Sequence, residues 1–101
     1  MRIRSFAHKG LKRLYEDGSA KGVPAGVLNK LRKMLAFLDQ MGDADELHGL
    51  PLWKAHQLTG DRKGTWSLSV TANVRLTFRI EAAGVGSGED EIRDFDLEDY
   101  H

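Results

Sequence analysis

The chain has no cysteine in its 101 residues, which excludes disulfides and thiolate metal sites and fits a reducing compartment. A cytoplasmic protein is therefore expected. Long apolar runs are missing as well. The longest is Met34-Leu35-Ala36-Phe37-Leu38, far short of the roughly 20 residues that cross a bilayer, so no membrane partner is expected. Met1-Arg2-Ile3-Arg4 leads into no apolar stretch, and a secretory leader is not expected either. The four histidines show neither H-x-x-x-H nor H-x-H spacing, so no metal and no other cofactor is expected. Proline is scarce, with Pro24 and Pro51 alone. The length is that of one domain spanning 1–101, large enough to bury a modest core.

Net charge is also absent, but the zero hides an asymmetry. Residues 89–101 hold seven of the fifteen acids and one base, Arg93. Residues 1–88 therefore carry 14 bases against 8 acids, and residues 1–33 carry nine against Glu16 and Asp17. A basic body invites a polyanion, because neutralising phosphates releases counterions whatever the sequence. The candidate contacts are Lys9, Lys12, Arg13, Lys30 and Lys33 on the amino-terminal surface, with Lys54, Arg62 and Lys63 further along.

Periodicity divides the chain at Pro51. Ile3 and Phe6 suggest a short edge strand, and Leu11, Leu14 and Tyr15 share one stripe of a first helix over residues 8–16. Gly18 and Gly22 break that helix. Pro24 suits the first turn of the next, which runs to Met41 on Val27, Leu28, Leu31, Met34, Leu35, Leu38 and Met41. Gly42 ends it, and residues 43–47 can add one more turn. After Pro51 the period is 2. A strand is expected from Leu52 to Leu58. Trp66, Leu68 and Val70 then alternate with polar residues, as do Val74, Leu76, Phe78 and Ile80, with Ala72-Asn73 as a two-residue turn between them. Residues 84–88 read as a loop and 91–99 as a last strand. Helices first and strands after predict an α+β domain, two N-terminal helices packed on one face of a mostly antiparallel sheet, with the other face left open. Arg75 and Arg79 alternate with the apolar set, so they belong on that open face.

The chain closes on Asp99-Tyr100-His101: a carboxylate, a ring that can stack on a base, and a group that titrates near neutral pH. His8 reads as a helix amino-terminal or packing residue, His48 as solvated, and Trp53 and Trp66 as core.

Taken in order, Phe6-Ala7-His8-Lys9-Gly10-Leu11, Gly22-Val23-Pro24, His56, Gly60-Asp61-Arg62, Gly64, Trp66-Ser67, Ala72-Asn73, Arg75 and Glu98-Asp99-Tyr100-His101 resemble the HigB toxins of the RelE/ParE superfamily. The resemblance runs nearly end to end, with a longer loop around residues 84–91. It implies a RelE-like fold and a ribosome-dependent endoribonuclease that cuts mRNA in the ribosomal A site. It also implies a helix-turn-helix antitoxin that silences the toxin and carries the pair to operator DNA. The family's active-site positions fall on His56, Arg75, Asp99, Tyr100 and His101. One position departs: Thr59 stands where the family pattern has a lysine, so either catalysis is weaker or Lys54, Arg62 or Lys63 supplies that charge.

Elementary chemistry agrees with those positions. Metal-free RNA cleavage needs a base for the 2′-OH, a cation for the charge on phosphorus and an acid for the leaving 5′-oxygen. His56, Asp99 and His101 are proton carriers, Arg75 is a permanent cation, and Tyr100 can stack or donate. Two other classes compete: a non-catalytic inhibitor resembling the gyrase-poisoning ParE branch, and an inactive homologue that only binds its antitoxin.

Overall fold

The computed structural model describes residues 1–49, 53–83 and 88–99. The amino-terminal strand β1 (Arg2–Ile3) leads into helix α1 (Lys9–Asp17). His8 caps α1: its Nδ1 accepts the Leu11 N–H at 3.1 Å, satisfying a donor the helix itself leaves without a partner. Gly18 closes the helix in the left-handed region at φ 70°, its N–H reaching the carbonyls of Arg13 and Leu14. Gly10, Leu11 and Leu14 are its buried residues.

Gly10 is needed for space. A Cβ there would lie 2.6 Å from the carbonyl oxygen of Gly22, so the α1 backbone rests directly on the turn that precedes α2. Gly10→Ala should therefore cost about 1–3 kcal/mol by overpacking against rigid backbone. Urea denaturation checks this, with Gly49→Ala, where no atom stands in the way, as the comparison.

Pro24 and Val27 offer no side-chain cap, so the second helix begins with a tight 3₁₀ turn (Ala25–Val27) before α2 proper (Leu28–Gln40). The continuous helix expected from Pro24 to Met41 is shorter at both ends, and Met41 is extended yet buried. Leu31, Met34, Leu35 and Leu38 form its buried stripe. The Tyr15 hydroxyl donates to Asp39 at 2.8 Å, tying α1 to α2. Residues Ala44–Gly49 form a 3₁₀ turn in place of a further α-helical one.

Four more strands follow: β2 (His56–Gln57), β3 (Thr65–Ser69), β4 (Val74–Glu81) and β5 (Glu91–Asp99). Their spatial order is β1-β5-β4-β3-β2, with β1 parallel to β5 and the other three pairs antiparallel. The sheet is mixed but mostly antiparallel, and the fold is α+β as expected. The strand expected over 52–58 is confined to two residues, its start at Leu52 lying outside the described residues, as do residues 84–87 of the expected loop.

Two local features depart from the plain alternation. The β3–β4 connection spans residues 70–73, not two residues, because the Thr71 hydroxyl accepts the N–H groups of Asn73 and Val74. In β5, Asp94 sits at φ 59° where the β4–β5 register shifts. This bulge lets Ile92 and Phe95, three residues apart, both face the core. The core is one cluster that packs Val27, Leu31, Leu35 and Leu38 against Trp66, Leu68, Val70, Leu76 and Phe78, with Leu28 at its margin.

Candidate active site

The helices cover one sheet face, and pairing register places polar side chains on the other. His56 stands opposite Ser67, Ser67 opposite Thr77, and Thr77 opposite Asp96. The next row is Ser69, Arg75 and Glu98. His56 and Arg75 thus share a face. Strand spacing puts their backbones about 12 Å apart, two strands across and two residues along, a span from which both side chains can reach one phosphate.

His56 is exposed, and its Nδ1 lies 2.9 Å from the Lys54 carbonyl. A carbonyl only accepts, so this nitrogen carries the proton and Nε2 keeps a lone pair in the neutral ring. Lys54 supplies that carbonyl from the left-handed region, at φ 49°. Arg75 is half-buried and folded onto the β3–β4 turn, donating through Nη1 to the carbonyls of Thr71 at 2.7 Å and Ala72 at 3.3 Å.

The centre of this face is bridged, not open. Arg62, from the 3₁₀ turn Gly60–Arg62, reaches over β3 and β4 to make a two-pronged ion pair with both carboxylate oxygens of Glu98 on β5. The Thr77 hydroxyl donates to the same carboxylate at 2.6 Å, and Ser67 and Thr77 are buried. The Arg62 hydrogen bond, helped by Thr77 and opposed by partial burial, holds the Glu98 carboxyl below its ordinary value of 4.5. A lowered pKa stabilises the fold above the unfolded value and ceases to do so as pH falls through the folded one. For Arg62→Gln, Glu98 should titrate at higher pH by carbon-detected NMR. The stability of that variant should fall by no more than about 1 kcal/mol near neutrality, because Arg62 is nearly half exposed and water screens the pair, and the loss should fade as pH falls through the folded value.

Glu98 was not a candidate from sequence. Its signal is its parity: it alternates with Leu97 and so falls beside Arg75. The same parity corrects the expected place of Asp99. Asp99 pairs with Val74 at the sheet rim, so the two-residue pleat turns it to the side opposite Arg75. Tyr100 and His101 lie outside the described residues. Thr59 is exposed at the entry to the 3₁₀ turn, and Lys63 is exposed beyond it.

The expected basic surface splits in two. Lys9, Lys12 and Arg13 sit together on α1. Lys30 lines a separate concavity with Lys54 and Arg75. Lys33 is exposed on α2. His8 is the helix cap expected of it. His48 is exposed but lies against the Trp66 ring at 5.7 Å.

This arrangement of two helices on a five-stranded sheet is similar to a YoeB/ParE toxin from Agrobacterium tumefaciens, with a TM-score of 0.59 at 16% identity over all of both chains. It is also similar to YafQ from E. coli strain BL21(DE3), with a TM-score of 0.58 at 16% identity over 98% of this chain and 93% of that one. The fold is therefore the one seen in these small toxins. Residues 4–93 match the HigB-like toxin family, described as the RelE-like toxin HigB of type II toxin–antitoxin systems. Endoribonuclease HigB of Proteus vulgaris is 40% identical over 99 residues, covering 98% of this chain and 99% of that protein. The chain belongs to the HigB-like toxins, and a type II toxin has an antitoxin partner.

Proposed function

We propose that this toxin is an endoribonuclease that cuts mRNA in the ribosomal A site by metal-free acid–base chemistry. The observation that carries the mechanism is the shared face of His56 and Arg75, with the His56 tautomer set by the Lys54 carbonyl. The neutral Nε2 accepts the 2′-OH proton as that oxygen attacks phosphorus. Arg75 offsets the charge that builds on the phosphorane, and His101 serves as the second proton carrier, protonating the departing 5′-oxygen. Tyr100 holds a base by stacking. Glu98 stays ionised and anchors Arg62 across the face.

Lys9, Lys12 and Arg13 dock the toxin on ribosomal RNA, and Lys33 and Lys63 add to that field. The partner is a helix-turn-helix antitoxin, which brings the toxin to operator DNA. The nearly full-length likeness to an endoribonuclease supports this reading over a non-catalytic inhibitor. Deleting Tyr100 and His101 should abolish mRNA cleavage and toxicity and leave antitoxin affinity and the thermal midpoint near wild type. Full toxicity of that truncation would remove the carboxyl-terminal residues from the mechanism.

A further inference from the structure

One corner of the molecule sets beside Arg75 two lysine side chains that the chemistry above does not use. A concavity of about 410 Å³ lies between the start of α2 and the β3–β4 turn, lined by Lys30, Lys54, Arg75 and residues 69–72. Its three cations come from three separate elements, and none of its lining residues is acidic. Among the described residues neither Lys30 nor Lys54 enters an ion pair. Three like charges held in one small space repel one another unless an anion sits between them. At 100° per residue, Lys30 lies about 200° round α2 from Arg32. Arg32 points to α1, donating to the Gly18 carbonyl at 3.4 Å. Lys30 therefore faces away from the α1 lysines and towards the site.

We propose that this concavity is a second phosphate subsite, which takes the phosphodiester next to the reacting one in the single-stranded RNA substrate. This rests on the ribonuclease reading above. Arg75 is common to the subsite and the polar face, so the strand passes from His56 over Arg75 and leaves around the β3–β4 turn towards α2. Lys30 and Lys54 bind the neighbouring phosphate and move no proton. They fix the register of the strand, so that the scissile 2′-OH meets His56.

The test uses the full-length toxin and a fluorescent single-stranded RNA with a 2′-deoxy sugar at the cleavage position, measured by anisotropy over a salt series. The variants are Lys30→Gln, Lys54→Asn and their double, with Lys12→Gln on α1 as the comparison. Asparagine tolerates the positive φ of residue 54, which protects the carbonyl that holds His56. Each variant should weaken binding about 2–5-fold, and the double should lower the log–log salt slope by about 0.7 for each phosphate left without its cation. In cleavage on ribosomes the double variant should lower kcat/KM.

A double variant with wild-type affinity and slope would overturn the subsite. So would a Lys12→Gln variant that loses as much as the double, or wild-type toxin that fails to bind the oligonucleotide at low salt. The underlying reading fails differently: binding that depends on Lys30 and Lys54, with ribosome-bound mRNA left intact, would keep the subsite and sink the ribonuclease.

Discussion

Arg75→Gln should slow mRNA cleavage about 10²–10³-fold, the loss typical of removing one charge-stabilising donor from a transition state, with the deficit in kcat. Arg75 sits at the start of β4 on the face it shares with His56, and its guanidinium is directed by the Thr71 and Ala72 carbonyls. A phosphorane gains charge that the ground state lacks, so a fixed cation acts mostly on the rate. Glutamine keeps a donor for the turn, and the unfolding free energy should change by no more than one exposed hydrogen bond is worth, about 0.5–1.5 kcal/mol. Single-turnover cleavage on programmed ribosomes measures the rate, and scanning calorimetry measures the fold. A variant that cleaves at the wild-type rate would remove Arg75 from the chemistry.

Phe78→Ala should cost about 3–5 kcal/mol, a large part of the roughly 5–15 kcal/mol that holds a domain of ordinary stability. The side chain is fully buried on β4, opposite Trp66 and with its ring 5.2 Å from that of Phe95. Phe78 therefore joins the strand from the middle of the chain to the last one, and truncating it opens a cavity where the two meet. Leu35→Ala, on the facing stripe of α2, should cost about 2–5 kcal/mol by the same mechanism. Guanidinium denaturation of both variants checks this, and an unchanged midpoint would show that the sheet–helix interface is not packed as described.

The parts of the fold that follow from repeating patterns were readable in the sequence. The α2 stripe and the alternation of Trp66 and Leu68 against Leu76 and Phe78 each repeat often enough to fix an element and its buried face. Features set by single contacts were not readable. The two residues of β1 are too few to show a period, and their parallel pairing with β5 joins opposite ends of the chain. The bulge at Asp94 breaks the alternation that a strand reading relies on. The β3–β4 turn takes its length from one threonine hydroxyl.

At the site, alternation was enough to put Arg75 on the polar face. It could not show Arg62 reaching Glu98 from 36 residues away, and that bridge is what closes the middle of a face expected to be open. Nor could composition divide the amino-terminal bases between α1 and the concavity at Lys30, because that division depends on the rotation of α2 against the sheet.

The chemistry of the cut ends tests the central claim most directly. Attack by the neighbouring 2′-oxygen, with His56 taking its proton, leaves a 2′,3′-cyclic phosphate on one fragment and a 5′-hydroxyl on the other. Analysing the termini of mRNA cut by the wild-type toxin on translating ribosomes should give those two ends, at positions in the A site, with free mRNA left intact. Fragments ending in a 3′-hydroxyl and a 5′-phosphate, or equal cutting of ribosome-free mRNA, would contradict it.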